Sequence, residues 1–159
     1  MWVLGSSHTA EDYPFNVKAI GIYKIYLGVE NHRGELTYYK VYVKFRNQTE
    51  ALSDESNEGS SVLDSIFEYG VFLRNEEIWE KIVTFSFEGI SFDGNSCRVS
   101  NLVLEGHVLS AEKSTSWNGN NRGFYFQLLF ELWIYNVTVS RFQYHNRFVS
   151  IWLNMTTSA

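Results

Sequence analysis

Between Gly123 and Tyr135 the chain alternates with period two. Phe124, Phe126, Leu128, Phe130, Leu132 and Ile134 are apolar, and Tyr125, Gln127, Glu131, Trp133 and Tyr135 lie between them. Successive side chains of a strand point to opposite faces, so the pattern predicts a central strand buried on one side in a two-sheet stack. The same alternation places Tyr23, Ile25, Leu27 and Val29 on one face, and Thr37, Tyr39, Val41, Val43 and Phe45 on one face of the next run. The Gly-containing link Asn31–Leu36 between these runs predicts an antiparallel hairpin. A second hairpin is predicted from Phe67, Tyr69, Val71 and Leu73 through Arg74–Glu77 to Trp79, Val83, Phe85 and Phe87. An amphipathic helix over Asp64–Lys81 is the alternative there, because Leu63, Ile66, Phe67 and Gly70 also fit a 3.6-residue period. The aromatic and Val content favours strands.

Val99–Leu104 and Gly106–Leu109 read as one strand or as two broken at Gly106, and Arg147–Met155 reads as the last strand. Between the periodic runs, residues 5–16 predict a long turn, Asp93–Ser96 and Trp117–Gly123 predict reversals, and Asn136–Arg141 predicts a connector with room for one helical turn. Residues 47–64 are rich in Ser, Glu, Asn and Gly and predict a mobile acidic loop. Seven to nine strands with frequent turn signals and no long helix predict an all-β fold. The expected architecture is an antiparallel β-sandwich of the immunoglobulin or fibronectin kind, with a jelly roll as the alternative, in a single domain over residues 1–159.

Composition sharpens this picture in three places. Aromatic residues make up 17% of the chain, which suits pleated sheets. The net charge of −5 is concentrated at Glu50, Asp54, Glu55 and Glu58; setting those four aside leaves about −1. No basic stripe remains to neutralise phosphates, so nucleic acid is not an expected partner. The lone Cys97 has no partner for an intramolecular disulfide and is expected to be a small buried hydrophobe. The first thirty residues lack a signal-peptide pattern and no apolar run reaches about 18 residues, which predicts a soluble chain if the sequence is complete. Met1–Gly5 reads as the tail of a strand.

Candidate chemistry is sparse. Asn47, Asn136 and Asn154 each open an Asn-x-Thr sequon and are candidate glycosylation sites. His8, His32, His107 and His145 are scattered, with no pair at metal-ligating spacing, and neither Glu11–Asp12 nor Asp93–Asn95 has the spacing of a calcium loop. No metal or other cofactor is expected. Glu131 is the one acid inside a strongly apolar strand, and its alternation predicts that it faces water or pairs with a cross-strand Arg rather than acting in catalysis. No nucleophile elbow, phosphate-cradling glycine loop or triad order is present, so the chain reads as non-enzymatic, with an enzyme assembled across loops as the remotest reading. Tyr38, Tyr42, Tyr125, Trp133, Tyr135 and Trp152 fall opposite the core faces. Trp117, Tyr125, Trp133 and Tyr135 are the candidate ligand-facing aromatics of a carbohydrate-binding module.

The segments Ala10–Asn16, Leu27–His32, Trp79 and Phe130–Trp133 resemble successive landmarks of an uncharacterised archaeal membrane-protein family, the domain of unknown function numbered sixteen-sixteen. Arg33 departs from the acidic residue expected after Asn31–His32. The resemblance implies an extracytoplasmic β domain at the cell surface, joined to the membrane only through a segment missing from this chain, and implies no activity. The expected function is therefore a binding or scaffold domain of a cell-envelope protein, with a protein or glycan as its partner.

Overall fold

The computed structural model describes residues 1–52 and 59–157. Asp54, Glu55 and Glu58 of the expected acidic loop lie outside the described residues. Eleven strands run in chain order: β1 (Trp2–Leu4), β2 (Asn16–Val17), β3 (Tyr23–Glu30), β4 (Thr37–Asn47), β5 (Phe67–Leu73), β6 (Ile78–Glu88), β7 (Ser91–Asp93), β8 (Ser96–Leu104), β9 (His107–Ser116), β10 (Tyr125–Asn136) and β11 (Arg141–Met155). They form a β-sandwich. One sheet is ordered β1-β3-β6-β8-β7, with β9 on the other edge of β8, and the second is ordered β2-β11-β10-β4-β5. All pairings are antiparallel except β2 with β11.

The stretch that carried the strongest alternation is a central strand. β10 pairs along one edge with β4, from Phe126 opposite Asn47 to Ile134 opposite Tyr39, and along the other with β11. Its even residues meet Ile25, Leu27, Val29, Val83, Phe85, Phe87, Val99, Leu102 and Leu104 of the facing sheet in one apolar core. Phe45 stacks on Phe126 with ring centroids 5.3 Å apart and reaches Phe87 across the sandwich at 5.4 Å. Cys97 is part of this core, and burial pushes its thiol up to about 12.

Both predicted hairpins are instead crossings between the sheets. β3 pairs with β1 and β6, whereas β4 pairs with β10 and β5, so Asn31–Leu36 arches from one sheet to the other. Arg74–Glu77 carries β5 back to β6 in the same way, and no helix forms over residues 64–81. Alternation reports which face of a strand is buried; it does not report the neighbour on the strand's edge. The first crossing is held by Asn31, which is fully buried. Its Nδ2 donates to Glu35 O at 2.7 Å and to Leu73 O at 2.8 Å. Its Oδ1 accepts from the Arg33 amide at 3.0 Å and from the Tyr39 hydroxyl at 2.9 Å. Its own amide donates to Glu77 O, and its carbonyl accepts from the Glu76 amide. One side chain therefore ties the two crossings together.

True hairpins appear later. Glu105 and Gly106 both have positive φ, 50° and 82°, and form the two-residue turn between β8 and β9, so the chain breaks into two strands at Gly106. β9 continues beyond Leu109 to Ser116, where its side chains become small and polar. β11 begins at Arg141 rather than Arg147, and Asn136–Arg141 closes a hairpin without a helical turn. A bulge interrupts the β10–β11 ladder: Leu132 faces Arg147 but Trp133 faces Tyr144, leaving His145 and Asn146 outside the register.

Replacing Asn31 with Ala removes a donor from the Leu73 carbonyl and the acceptor of the Tyr39 hydroxyl in a buried setting, whereas the Glu35 carbonyl keeps the Thr37 hydroxyl as a donor. The expected loss is about 2–4 kcal/mol, since each unsatisfied buried group costs about 1–3 kcal/mol. Urea unfolding of Asn31→Ala against wild type measures it, and the loss is expected to exceed that of Leu36→Ala at an exposed position of the same arch.

Candidate functional site

Around Glu131 the outer face of the β10 sheet is covered, which corrects the expectation that this residue meets water. Glu131 is 2% exposed and Lys44 is 4% exposed, and Lys44 Nζ sits 2.8 Å from Glu131 Oε2. Register explains the pairing. Leu129 lies opposite Lys44 and Glu131 opposite Tyr42, so the two charges are diagonal neighbours on one face. Ser61 closes over them, accepting from Lys44 Nζ at its carbonyl (2.9 Å) and donating its amide to Glu131 Oε1 (2.9 Å). Trp133 Nε1 adds a 3.3 Å bond to Glu131 Oε2. Farther along the same face, Arg46 Nε donates to Gln127 Oε1 at 2.6 Å and Gln127 Nε2 donates to Ser150 Oγ at 2.8 Å.

At the described ends of the 47–64 segment, Ser61 is buried, and Glu50 forms an ion pair with Lys113 of β9 while accepting from the Asn47 amide. Glu131 neither faces water nor pairs with Arg; its partner is Lys44 beneath a lid, out of reach of a substrate.

The candidate binding site lies at the end of the sandwich where β4 and β9 finish and β10 begins. A cleft of ≈ 980 Å³ is lined by Phe15, Gln48, Thr49, Trp117, Asn118, Gly119, Asn121, Tyr125 and Trp152. Trp117 and Trp152 are 42% and 41% exposed, unusual for side chains of this size in a folded chain. Each ring is held. Trp117 packs edge-on against Phe124 at 5.1 Å, the Arg46 guanidinium lies 5.2 Å from the Trp152 ring, and Tyr125 lies 6.0 Å from Phe15. The Tyr125 hydroxyl donates to Asn121 O at 2.6 Å.

The polar side of the cleft is equally organised. Asn118 Nδ2 donates to Gln48 Oε1 at 3.0 Å, and Gln48 Nε2 donates to Ser116 O at 2.8 Å. Asn118 Oδ1 accepts from the Asn120 and Asn121 amides, both at 3.1 Å, which shapes the reversal that presents Trp117. No lining side chain carries a formal charge. Flat aromatic faces beside fixed amide groups suit a neutral, hydroxyl-rich ligand that offers apolar C–H faces and hydrogen-bonding edges.

Of the four aromatics expected to face a ligand, the fold brings Trp117 and Tyr125 together and separates the other two. Trp133 packs edge-on against Tyr42 at 5.3 Å and lies 5.9 Å from Tyr144, as part of the cover over the ion pair. Tyr135 lines a different cavity at the far end of β10, with Tyr38 and Phe72, whose rings stack at 4.1 Å. Phe15 was read as part of a loop and joins the cleft only because Asn16–Val17 pairs with the end of β11. The sequons also differ in setting. Asn47 Nδ2 donates to Ser114 O, Asn136 Nδ2 to Gln143 Oε1, and Asn154 Nδ2 to Asn16 Oδ1 while its Oδ1 accepts from the Phe124 amide.

Breaking the buried pair from one side leaves an uncompensated charge, so Lys44→Met is expected to cost about 3–5 kcal/mol. The double variant Lys44→Met/Glu131→Leu is expected to recover most of that loss, because both charges are then gone. A double-mutant cycle by denaturant unfolding reads both numbers. Compared with known proteins, the chain matches no family model, no curated protein and no solved structure.

Proposed function

We propose that this chain is a non-enzymatic binding module of the cell envelope whose ligand is a neutral glycan, bound in the cleft between Trp117 and Trp152. The carrying observation is a charge-free cleft in which two half-exposed tryptophans and Phe15 stand beside the hydrogen-bonded amides of Gln48 and Asn118. Holding the rings and amides before ligand arrives lowers the entropy cost of binding, which is what a site for a weakly interacting sugar requires.

The immunoglobulin-like or fibronectin-like reading of the sandwich is supported by two features. The neighbours β1-β3-β6 in one sheet and β5-β4-β10-β11 in the other, with consecutive strands crossing between sheets, follow a Greek-key order. The bond from the Tyr125 hydroxyl to Asn121 O, at the start of a central strand, has the form of the tyrosine corner of such domains. The extracytoplasmic setting, with attachment through a segment outside this chain, is supported by the resemblance to the archaeal membrane-protein family and by the three sequons.

Glycan-array binding tests the reading. Trp117→Ala and Trp152→Ala are each expected to weaken the strongest hits about tenfold, in line with about 1–2 kcal/mol for an aromatic contact, while circular dichroism and unfolding midpoints stay close to wild type. A featureless array with folded wild-type protein overturns the glycan reading and leaves a scaffold domain. Glycopeptide mapping of protein from its native source tests the setting. Asn136 is expected to be the most occupied site, because its amide bonds only within its own hairpin, to Gln143 Oε1 and the Thr138 amide beside the exposed Val137, and Asn154 the least, because its amide joins two distant segments through Asn16 Oδ1 and the Phe124 amide.

A further inference from the structure

The opposite end of the same sheet holds a smaller cavity of ≈ 230 Å³. β4 separates the two sites, and at about 3.3 Å per residue its length puts them roughly 35 Å apart. Tyr39 and Leu132 form the floor of the small cavity, and Arg33, His32, His145 and Arg147 stand on its walls. Two irregularities of the backbone bring these residues together. The Asn31–Leu36 crossing presents His32 and Arg33. The bulge in β11 throws His145 out of the ladder, with Asn146 at φ 51°, and returns the chain to register at Arg147. Bulges of this kind re-aim side chains, and here the result is four basic residues around one opening in a chain of net charge −5.

We propose that this mouth, where the Asn31-pinned crossing and the β11 bulge place Arg33 and Arg147 around a single cavity, binds a compact oxyanion, a phosphate or sulfate group. Among the described residues, neither guanidinium has a carboxylate in ion-pair range or a side-chain hydrogen bond, in contrast to Arg46 and Arg98. The one acid lining the cavity, Glu30, lies 3.1 Å from His32 Nε2. Both guanidinium charges reach the same ring. Burial lowers the basicity of His145, and Arg147 and Arg33 lower it further. A planar guanidinium pairs with oxyanions through two parallel N–H donors, so two such groups on a partly enclosed cavity form a receptor for one tetrahedral anion. Arg33 and His145 also border the adjoining ≈ 740 Å³ cavity that holds Tyr38 and Tyr135, which leaves room for an organic group attached to the anion.

The titratable and charged side chains that face His145 are Arg33 and His32 from the crossing, Glu30 from β3, Tyr39 from β4 and Arg147 from β11. Without anion its lowered basicity keeps His145 neutral near neutral pH. A bound anion offsets the surrounding positive charge and favours the imidazolium. Affinity for sulfate, whose own charge is constant in this range, is therefore expected to rise as pH falls from about 7.5 to about 5.5, the range in which histidine titrates.

The test is titration calorimetry of the full chain at constant ionic strength with inorganic phosphate, sulfate and phenyl phosphate, using chloride as the matched control. Saturable binding of at least one of the three is expected. Arg33→Gln and Arg147→Gln are each expected to weaken it about tenfold or more, as for loss of a hydrogen bond to a charged group, and His145→Gln to flatten the pH dependence of sulfate binding. Glu30→Gln is expected to tighten it several-fold, a gain that an unfolded variant cannot produce. Equal affinity for phosphate and phenyl phosphate marks a free-anion site, and tighter phenyl phosphate marks an organic monoester; either result supports the oxyanion. No binding above chloride, or binding unchanged in the folded Arg33→Gln/Arg147→Gln double variant, overturns it. A blank glycan array has no bearing on this outcome, because the two sites share no residue.

Discussion

The buried amide of Asn31 is the constraint on which this sandwich turns. An asparagine side chain offers two donor hydrogens and two acceptor lone pairs, and here all four are used, while its backbone bonds to the second crossing through Glu76 and Glu77. A fully satisfied polar group in a dry setting favours one arrangement over its alternatives, because any rearrangement leaves donors or acceptors unpaired. That arrangement sends β3 and β4 into opposite sheets and fixes the return of β5 to β6. With the crossing set, Tyr39 enters the core with its hydroxyl on Asn31, and His32 and Arg33 are carried to the rim of the sandwich.

A second consequence concerns the β10 sheet, which is buried on its inner face and, around Lys44 and Glu131, on its outer face as well. The inner face is apolar and packs against the other sheet. The outer face is a polar layer in which Lys44, Glu131, Arg46, Gln127 and Ser61 satisfy one another. Buried ion pairs contribute little net stability, because the desolvation of two charges offsets their attraction. Their more certain effect is on register. A slip of β4 against β10 by one residue moves Lys44 to the apolar face and leaves Glu131 without its partner. The pair therefore specifies how the central strands align, and the Ser61 segment that covers it anchors the described end of an otherwise polar loop.

The two ends of the sheet then diverge in chemistry. At one end, small polar residues of β9 and the Asn118 reversal surround exposed tryptophans with amides and no charge. At the other, a crossing and a bulge gather basic side chains. The same sheet spaces the two sites and holds each rigidly, and neither needs a moving part.

Period-two alternation in the sequence was enough to mark β3, β4, β5, β6 and β10, their inward faces and the central place of Gly123–Tyr135, because burial of one face leaves its mark on every second residue, whereas the short β2 and β7 left no such mark. Asp93–Ser96 marked a reversal through local turn chemistry, whereas Gly106 left one strand or two open. The partners of the strands were not legible: Tyr23–Glu30 and Thr37–Asn47 alternate as hairpin strands do, and only the packing of Asn31 against Leu73 and Glu77 places them in different sheets. The role of Glu131 was hidden for the same reason, since a polar residue at an outward position reads identically whether water or Lys44 and Ser61 lie above it. Trp117 and Tyr125 stood out in the sequence as exposed aromatics, but their meeting with Phe15 and Trp152 depends on β2 pairing with β11 across most of the chain's length. Convergence of residues distant in sequence is a property of the tertiary structure alone, because no local pattern records which segments meet.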